Sequence, residues 1–265
     1  MRSELAGLSP ELRKEQILTF VQSSGVYRIQ ALAEVLGVSG ETIRRDAIEL
    51  EERGQIRRSY GCLVAVRDPV WYPHDLRVRQ RIDEKEAIGR LCSGIIRPGS
   101  SVFVTAGTTA LEVARVMRMS QNTKFMTNMP EIGIHLSRES RHEVRLTGGR
   151  INPLNHFLEG DDVLAAVRDE LFDYVIAGTS AIDAAHGLLD HSHFSSRLRR
   201  VLRQQTDTFI TVCDFSKFVV RAPHKSMAIH ETDYVITDRQ PPEEFSGFIE
   251  AGVPRFIYPG SGVVI

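Results

Sequence analysis

Two hydrophobic rhythms divide the chain. Up to Val66 the apolar positions recur mainly at helical spacing, and from Ser101 onward short apolar runs alternate with helical stretches. In the first part, Ser9-Pro10-Glu11 reads as a helix start, with Ser at the cap and Pro at the first position. Ile17, Phe20 and Val21 give that helix an apolar face, and it ends near Gly25. Arg28 to Leu36 predicts a second helix, buried through Leu32, Val35 and Leu36 and stopped by Gly37. Val38 fills the angle to a third helix, which Ser39 caps and Ile43, Ala47 and Leu50 line at i, i+4 and i+7. Thr42 stands where a Glu would complete the capping box, so half of the box is present. Gly54 closes this helix. Gln55 to Tyr60 and Cys62 to Val66 then read as two strands turned at Gly61. Three helices and a two-stranded wing describe a winged helix-turn-helix.

Arg67 to His74, with two prolines, leaves both rhythms and marks a joint. Trp71 and Tyr72 are apolar for a linker and are expected to dock on the second domain or on a partner subunit. Leu76 to Ile96 reads as one long helix with Ile88, Leu91, Cys92 and Ile95 on one side. Arg77, Arg79, Arg81, Lys85 and Arg90 are read as its solvated face. Beyond Pro98-Gly99, strands are expected at Ser101–Thr105, Phe125–Thr127, Val144–Thr147, Tyr174–Ala177, Thr208–Val212 and Tyr234–Thr237. Helices fall between them, at Ala110–Met119, through Leu136, at Asp161–Arg168 and at Phe194–Gln205. Such alternation predicts a Rossmann-like, mostly parallel sheet covered by helices. The fold class is therefore α/β with an N-terminal winged helix-turn-helix. The expected limits are 1–66 for the small domain, 67–75 for a linker and 76–265 for the large domain.

Composition adds constraints. The 33 Lys and Arg against 34 Asp and Glu leave a formal net charge of -1, so affinity for nucleic acid must be local and multiplied by oligomerisation. Cys62, Cys92 and Cys213 have no metal-ligand spacing and read as reduced thiols, which points to the cytoplasm. No apolar run is long enough to span a membrane, and the first residues lack the apolar core of a signal peptide.

Two places carry chemistry. On the third helix, Thr42, Arg44 and Arg45 lie off the buried stripe near the N-terminal end, which a recognition helix presents to the major groove. Either arginine suits guanine O6 and N7, and the Ser39 and Thr42 hydroxyls suit phosphates. Arg57 and Arg58 on the wing are expected at the DNA backbone or minor groove, and Arg28 and Glu41 complete the expected DNA-binding set. Asp46 is read as pairing within the domain, and Glu49, Glu51 and Glu52 as facing solvent. The plain alternative is a small helical interaction module. The second place is Ala106-Gly107-Thr108-Thr109, where a strand turns into a helix N-terminus that favours an anion.

VSGETIRRDAIELEERGQIRRSYG strongly resembles the N-terminal signature of the DeoR family of bacterial transcriptional regulators. That signature usually ends His-Gly-Gly; here it ends Tyr60-Gly61-Cys62. The AGTT turn, Thr127-Asn128, Gly148-Gly149, the GTSAID loop and Asp214-x-Ser216-Lys217 resemble the sensor domain of the same family. The resemblance implies a fold shared with ribose-5-phosphate isomerase and glucosamine-6-phosphate deaminase, and a phosphorylated sugar or related metabolite as effector. Where the family commonly has an Asp two residues before the glycine of the turn, this chain has Thr105. On this reading Gly107, Thr108 and Thr109 hold phosphate with Lys217 as cation. Asn128, Gly149 and Asp183 read hydroxyls, Arg150 makes a second cationic contact or a salt bridge, and Thr105, Gly178 and Ser180 line the site.

The favoured function is a metabolite-controlled regulator, a repressor of a carbohydrate or related catabolic operon. It would bind double-stranded operator DNA as a homo-oligomer, dimer or tetramer, with the effector acting through the linker around Trp71. No cofactor is expected. An activator would use the same parts. A sugar-phosphate isomerase or deaminase is the alternative from another class, with Asp183, Asp214 or Asp238 as candidate base. His186, His191 and His193 suggest a metal only weakly, because no Cys or acidic partner beyond Asp190 is suitably spaced.

Overall fold

The computed structural model describes residues 8–24, 26–59, 61–65, 74–117, 122–138, 142–153 and 155–262. Two compact units divide the chain, Met1–Pro73 and His74–Ile265. His74 and Asp75, placed above in the linker, begin a helix of the second unit. Trp71 and Tyr72 lie outside the described residues.

The first unit contains α1 (Pro10–Ser24), β1 (Val26–Arg28), α2 (Ile29–Leu36), α3 (Gly40–Glu52), β2 (Ile56–Ser59) and β3 (Cys62–Ala65). Arg28 belongs to β1 rather than to the second helix, and pairs across to Cys62. The wing is thus three-stranded, in antiparallel order β1-β3-β2. Gly37 ends α2 at φ 65°, a left-handed conformation that a side chain would resist. Ser39 caps α3 by accepting from the Thr42 amide. Ile17, Val21, Leu32, Leu36, Ile43, Ala47, Leu50, Ile56 and Leu63 are sealed into one core. Burying a Leu or Ile side chain stabilises by about 1.5–3 kcal/mol, which fixes the third helix in position.

The expected long helix of the second unit is two helices, α4 (His74–Arg79) and α5 (Ile82–Ser93). The break is at Arg81, in the left-handed region at φ 53°. Lys85, buried rather than solvated, donates to the Arg77 and Gln80 carbonyls at 2.6 Å each and so satisfies the end of α4.

There follow β4 (Ser101–Val104), α6 (Thr108–Val116), β5 (Lys124–Thr127), α7 (Pro130–Ser137), β6 (Glu143–Leu146), β7 (Arg150–Ile151), β8 (Leu158–Glu159) and α8 (Asp161–Arg168). The chain continues through β9 (Phe172–Gly178), β10 (Ala181–Asp183), β11 (Gly187–Asp190), α9 (His193–Gln204), β12 (Thr206–Val212), β13 (His224–Met227), β14 (Tyr234–Ile236), α10 (Ser246–Ala251) and β15 (Arg255–Ile257). Seven strands form one sheet in the order β15-β14-β12-β9-β4-β5-β6, and every pairing in it is parallel. Successive residues supply opposite faces. Phe103, Val175, Phe209 and Val235 enter one core, and Val102, Val104, Ile176, Ile210 and Ile236 the other. A second antiparallel sheet, β10-β11-β13, has no counterpart in the strand–helix alternation.

The chain runs outward from β4 through β5 to β6, then returns to β9 on the other side of β4. The order therefore reverses between β4 and β9. In such sheets a crevice opens beyond the carboxyl ends of the strands at this point.

Candidate functional sites

On the first unit, α3 presents an exposed row beside a buried one. Arg44 and Arg45 are exposed, while Ile43, Asp46, Ala47 and Leu50 are buried. Asp46 accepts from Arg13 Nε at 2.5 Å and from Nη2 at 3.1 Å, a forked pair joining α1 to α3. Lys14, also buried, reaches Glu49 at 2.5 Å. Glu51 accepts from the amide and the Nε of Arg58, at 2.8 and 2.6 Å. Glu49 and Glu51, expected to face solvent, are partly exposed and also stitch the unit together. Arg58 is exposed and held by Glu51, and the Arg57 side chain lies outside what is described.

The outer face is sparsely tied. Arg44 meets Glu41 at 3.0 Å with both side chains exposed. The Ser39 and Thr42 hydroxyls share a hydrogen bond of 2.9 Å. Arg45 has no hydrogen bond or ion pair among the described residues. An exposed cation near a helix N-terminus suits a phosphate or a guanine edge. Arg28 is exposed at the end of β1.

In the second unit the turn after β4 is built by its neighbours. Asn128, at the end of β5, accepts from the Ala106 amide at 2.9 Å and donates to the Leu158 carbonyl at 3.1 Å. It is 2% exposed and shapes the turn. The Thr105 hydroxyl accepts from the Gly178 amide at 3.3 Å, bridging β4 and β9 at the reversal. Thr108 is half-buried and Thr109 buried at the start of α6, with Gly107 as the cap.

Three further expected ligand contacts have structural duties. Arg150 lies on β7, largely exposed, and pairs with Glu159 at 2.8 Å. A Cβ at Gly149 would stand 2.9 Å from the Glu159 carbonyl oxygen and 2.8 Å from Val163, so glycine permits that close approach. Asp183 accepts from the amides of Ala185 and His186 and from His186 Nδ1, closing the β10–β11 turn. Burial opposes its ionisation, but those hydrogen bonds prevail and hold the carboxyl below its ordinary range. His191 follows β11 and His193 opens α9, so the two do not share a strand face. No group of three or more His, Cys, Asp or Glu converges for a metal among the described residues.

Beyond β12, Asp214 and Lys217 do converge. Asp214, 4% exposed, accepts from the Ser216 amide at 3.0 Å, from the Ser216 hydroxyl at 2.5 Å and from Arg81 Nη1 at 2.6 Å. Burial would raise its pKa; Lys217, Ser216 and Arg81 together hold it below the ordinary value. The Lys217 ammonium has no hydrogen bond or ion pair among the described residues. Burial lowers its pKa against the pull of Asp214, and Arg77 and Arg81 lower it further. Lys85 stands in the same field, its pKa lowered chiefly by burial to about 8.

Arg81 and Lys85 are thus part of the strand-end region, although their spacing reads as a solvated helix face. A second missed group is Arg199, 5% exposed, which binds Asp190 at 3.0 and 3.1 Å and the Gly178 carbonyl at 2.6 Å. Ser226 donates to the same aspartate at 2.6 Å. A signal for Arg199 exists in the sequence: it sits beside Leu198 and one turn before Leu202, on the apolar stripe of α9.

The chain matches the DeoR-like helix-turn-helix domain over residues 13–68 and the DeoR C terminal sensor domain over residues 80–239. It is 32% identical over 233 residues to the HTH-type transcriptional regulator GlpR of Haloferax volcanii, covering 86% of this chain and 90% of that protein. It is 30% identical over 230 residues to the glycerol-3-phosphate regulon repressor of Escherichia coli, covering 87% and 91%. Among solved structures it is similar to ribose 5-phosphate isomerase A from Neisseria gonorrhoeae at TM-score 0.38 and 12% identity, over 54% of this chain and 56% of that one. That last likeness is too shallow to bear on function. No helix among the described residues is long and apolar enough to cross a membrane. With a winged reading head and a seven-stranded sensor sheet each matched to its counterpart, the chain belongs to the DeoR family of DNA-binding transcriptional regulators and is a transcription factor, not an enzyme.

Proposed function

We propose that the protein is a cytoplasmic repressor of an operon for carbohydrate or related metabolism, relieved by a phosphorylated ligand seated beyond the strand ends of the second unit. The observation that carries this reading is the Lys217 ammonium, half-buried close to Asp214 and lacking a hydrogen-bond partner among the described residues. Desolvating a cation costs free energy that an anionic ligand returns. Gly107 and Thr108 at the start of α6, Gly178 at the end of β9 and Ser180 beyond it stand at the carboxyl ends of neighbouring strands and offer amides and hydroxyls. Relatives of the chain agree with this class, one being a glycerol-3-phosphate regulon repressor. Thr105 is committed to the Gly178 amide and supplies no carboxylate, so the ligand differs from one held through an acid at that position.

On DNA, Arg45 reads or positions while Ser39, Thr42 and Arg44 hold the backbone, and a homo-oligomer presents two heads to a repeated operator. Ligand binding favours the DNA-incompetent state by a coupling of about 1–3 kcal/mol. The test is a thermal-shift screen of the full chain against sugar phosphates, sugar acids and their unphosphorylated forms. A shift that requires phosphate and disappears in Lys217→Ala or Thr108→Ala supports the reading. A shift from unphosphorylated compounds that survives both substitutions overturns it.

A further inference from the structure

We infer that Arg81 is a ligand-binding residue, a guanidinium fork set by Asp214 beside Lys217 to receive the same phosphate dianion. The inference rests on the effector reading above and adds a contact to it. Four observations support it. Arg81 bridges the break between α4 and α5 in a left-handed conformation, φ 53° and ψ 47°, that a side-chain-bearing residue adopts at a cost. The strain is sustained by a specific contact, Arg81 Nη1 to Asp214 Oδ1 at 2.6 Å, joining residues 133 positions apart. The aspartate is buried while the Arg81 side chain is 47% exposed. Its carboxylate therefore orients the guanidinium and leaves most of the five donors facing outward. Lys217 stands in the electrostatic field of Arg81 and Asp214 with no acceptor of its own.

The chemistry selects the ligand class. Arg81 and Lys217 together carry two positive charges against the one of Asp214, and Asp214 already accepts from Arg81 and from both donors of Ser216. A planar fork and a point charge on one side match a phosphate monoester, which offers several oxygens and about two charges near neutral pH. A neutral sugar would leave the net positive charge of the three groups uncompensated. Lys85 plays a different part. Its ammonium is spent on the Arg77 and Gln80 carbonyls, so it holds the joint that aims Arg81 and does not reach for ligand.

The test is calorimetric titration of the full chain with inorganic phosphate, glucose 6-phosphate and glucose, on wild type, Arg81→Met, Arg81→Lys and Lys217→Ala. Circular dichroism melts of each variant report whether it folds. We expect Arg81→Met to weaken phosphate and glucose 6-phosphate at least tenfold. Arg81→Lys keeps the charge without the fork and should recover part of that loss. Phosphate binding that is unchanged in folded Arg81→Met and Arg81→Lys but lost in Lys217→Ala overturns the role of Arg81 and leaves the effector reading standing. Glucose bound as tightly as glucose 6-phosphate, or phosphate bound equally by Lys217→Ala, overturns both. Should Arg81→Met fail to fold, Arg81→Lys decides: wild-type affinity there contradicts the fork.

Discussion

Around α3 of the first unit, acids and bases answer one another within a small fold: Asp46 to Arg13, Glu49 to Lys14, Glu51 to Arg58 and Glu41 to Arg44. Arg45 is exposed and has no ion pair among the described residues. In the second unit two polar contacts join residues far apart in the chain. Arg81 reaches Asp214 and Arg77 reaches Asn155. There Lys217, with no hydrogen-bond partner among the described residues, is half-buried rather than exposed. A solvated cation costs little to keep and suits a large polyanion that arrives from water. A desolvated one is costly and suits a small anion enclosed by the protein.

The largest effect that separates structural from reading charges is expected at Asp46. Replacing it by Ala leaves Arg13 unpaired against α3, and removing one partner of a buried pair costs about 3–5 kcal/mol. The melting transition of the first unit should fall sharply while that of the second stays in place. An unchanged transition would mean that Asp46 serves DNA and not the fold.

That aspartate also marks how far the sequence could be read. The three helices, the Ser39 cap and the wing strands at Ile56 and Cys62 follow from spacing alone, because helix and hairpin signals are local. In the sheet domain, most of the alternating strands were legible for the same reason. The helix break at Arg81 was not, because its cause is a carboxylate 133 residues later. The β10-β11-β13 sheet was likewise hidden, its strands being short and interrupted by turns. Of the expected ligand residues, Gly107 and Thr108 follow β4, Gly178 ends β9 and Lys217 follows β12. Asn128, Gly149, Arg150 and Asp183 turned out to hold turns and strands, since polar residues at strand ends serve backbone and ligand alike.

A smaller effect is expected on the outer face of α3. Arg45→Ala should weaken specific operator binding by about 1–3 kcal/mol, the range for one bidentate base contact. Arg44→Ala should cost less than about 1 kcal/mol, because its charge is already shared with Glu41 in water. Anisotropy of a labelled operator fragment, selected in vitro with the wild-type protein, checks both. The reverse ranking would show that the Glu41 pair opens on DNA and that Arg44 is the reader.

The smallest effect sharpens the second unit. Lys85 in the folded chain loses its proton at about pH 8, against 10.5 in the unfolded chain. Between these values the unfolded chain holds more protons, so stability rises with pH, by on the order of 1–2 kcal/mol. Lys85→Met should abolish that rise. Urea midpoints of both proteins between pH 7.5 and about 10 test it, and parallel curves would place Lys85 in water.

The most direct measurement is release of operator DNA by ligand. The full chain is bound to a labelled operator fragment and titrated with the sugar phosphate found in the thermal screen, then with its unphosphorylated counterpart. The expected result is release by the phosphorylated compound alone. Lys217→Ala should bind the DNA as wild type does and hold it against the same ligand. Equal release from Lys217→Ala, or release by the unphosphorylated compound, would contradict a phosphate-gated repressor.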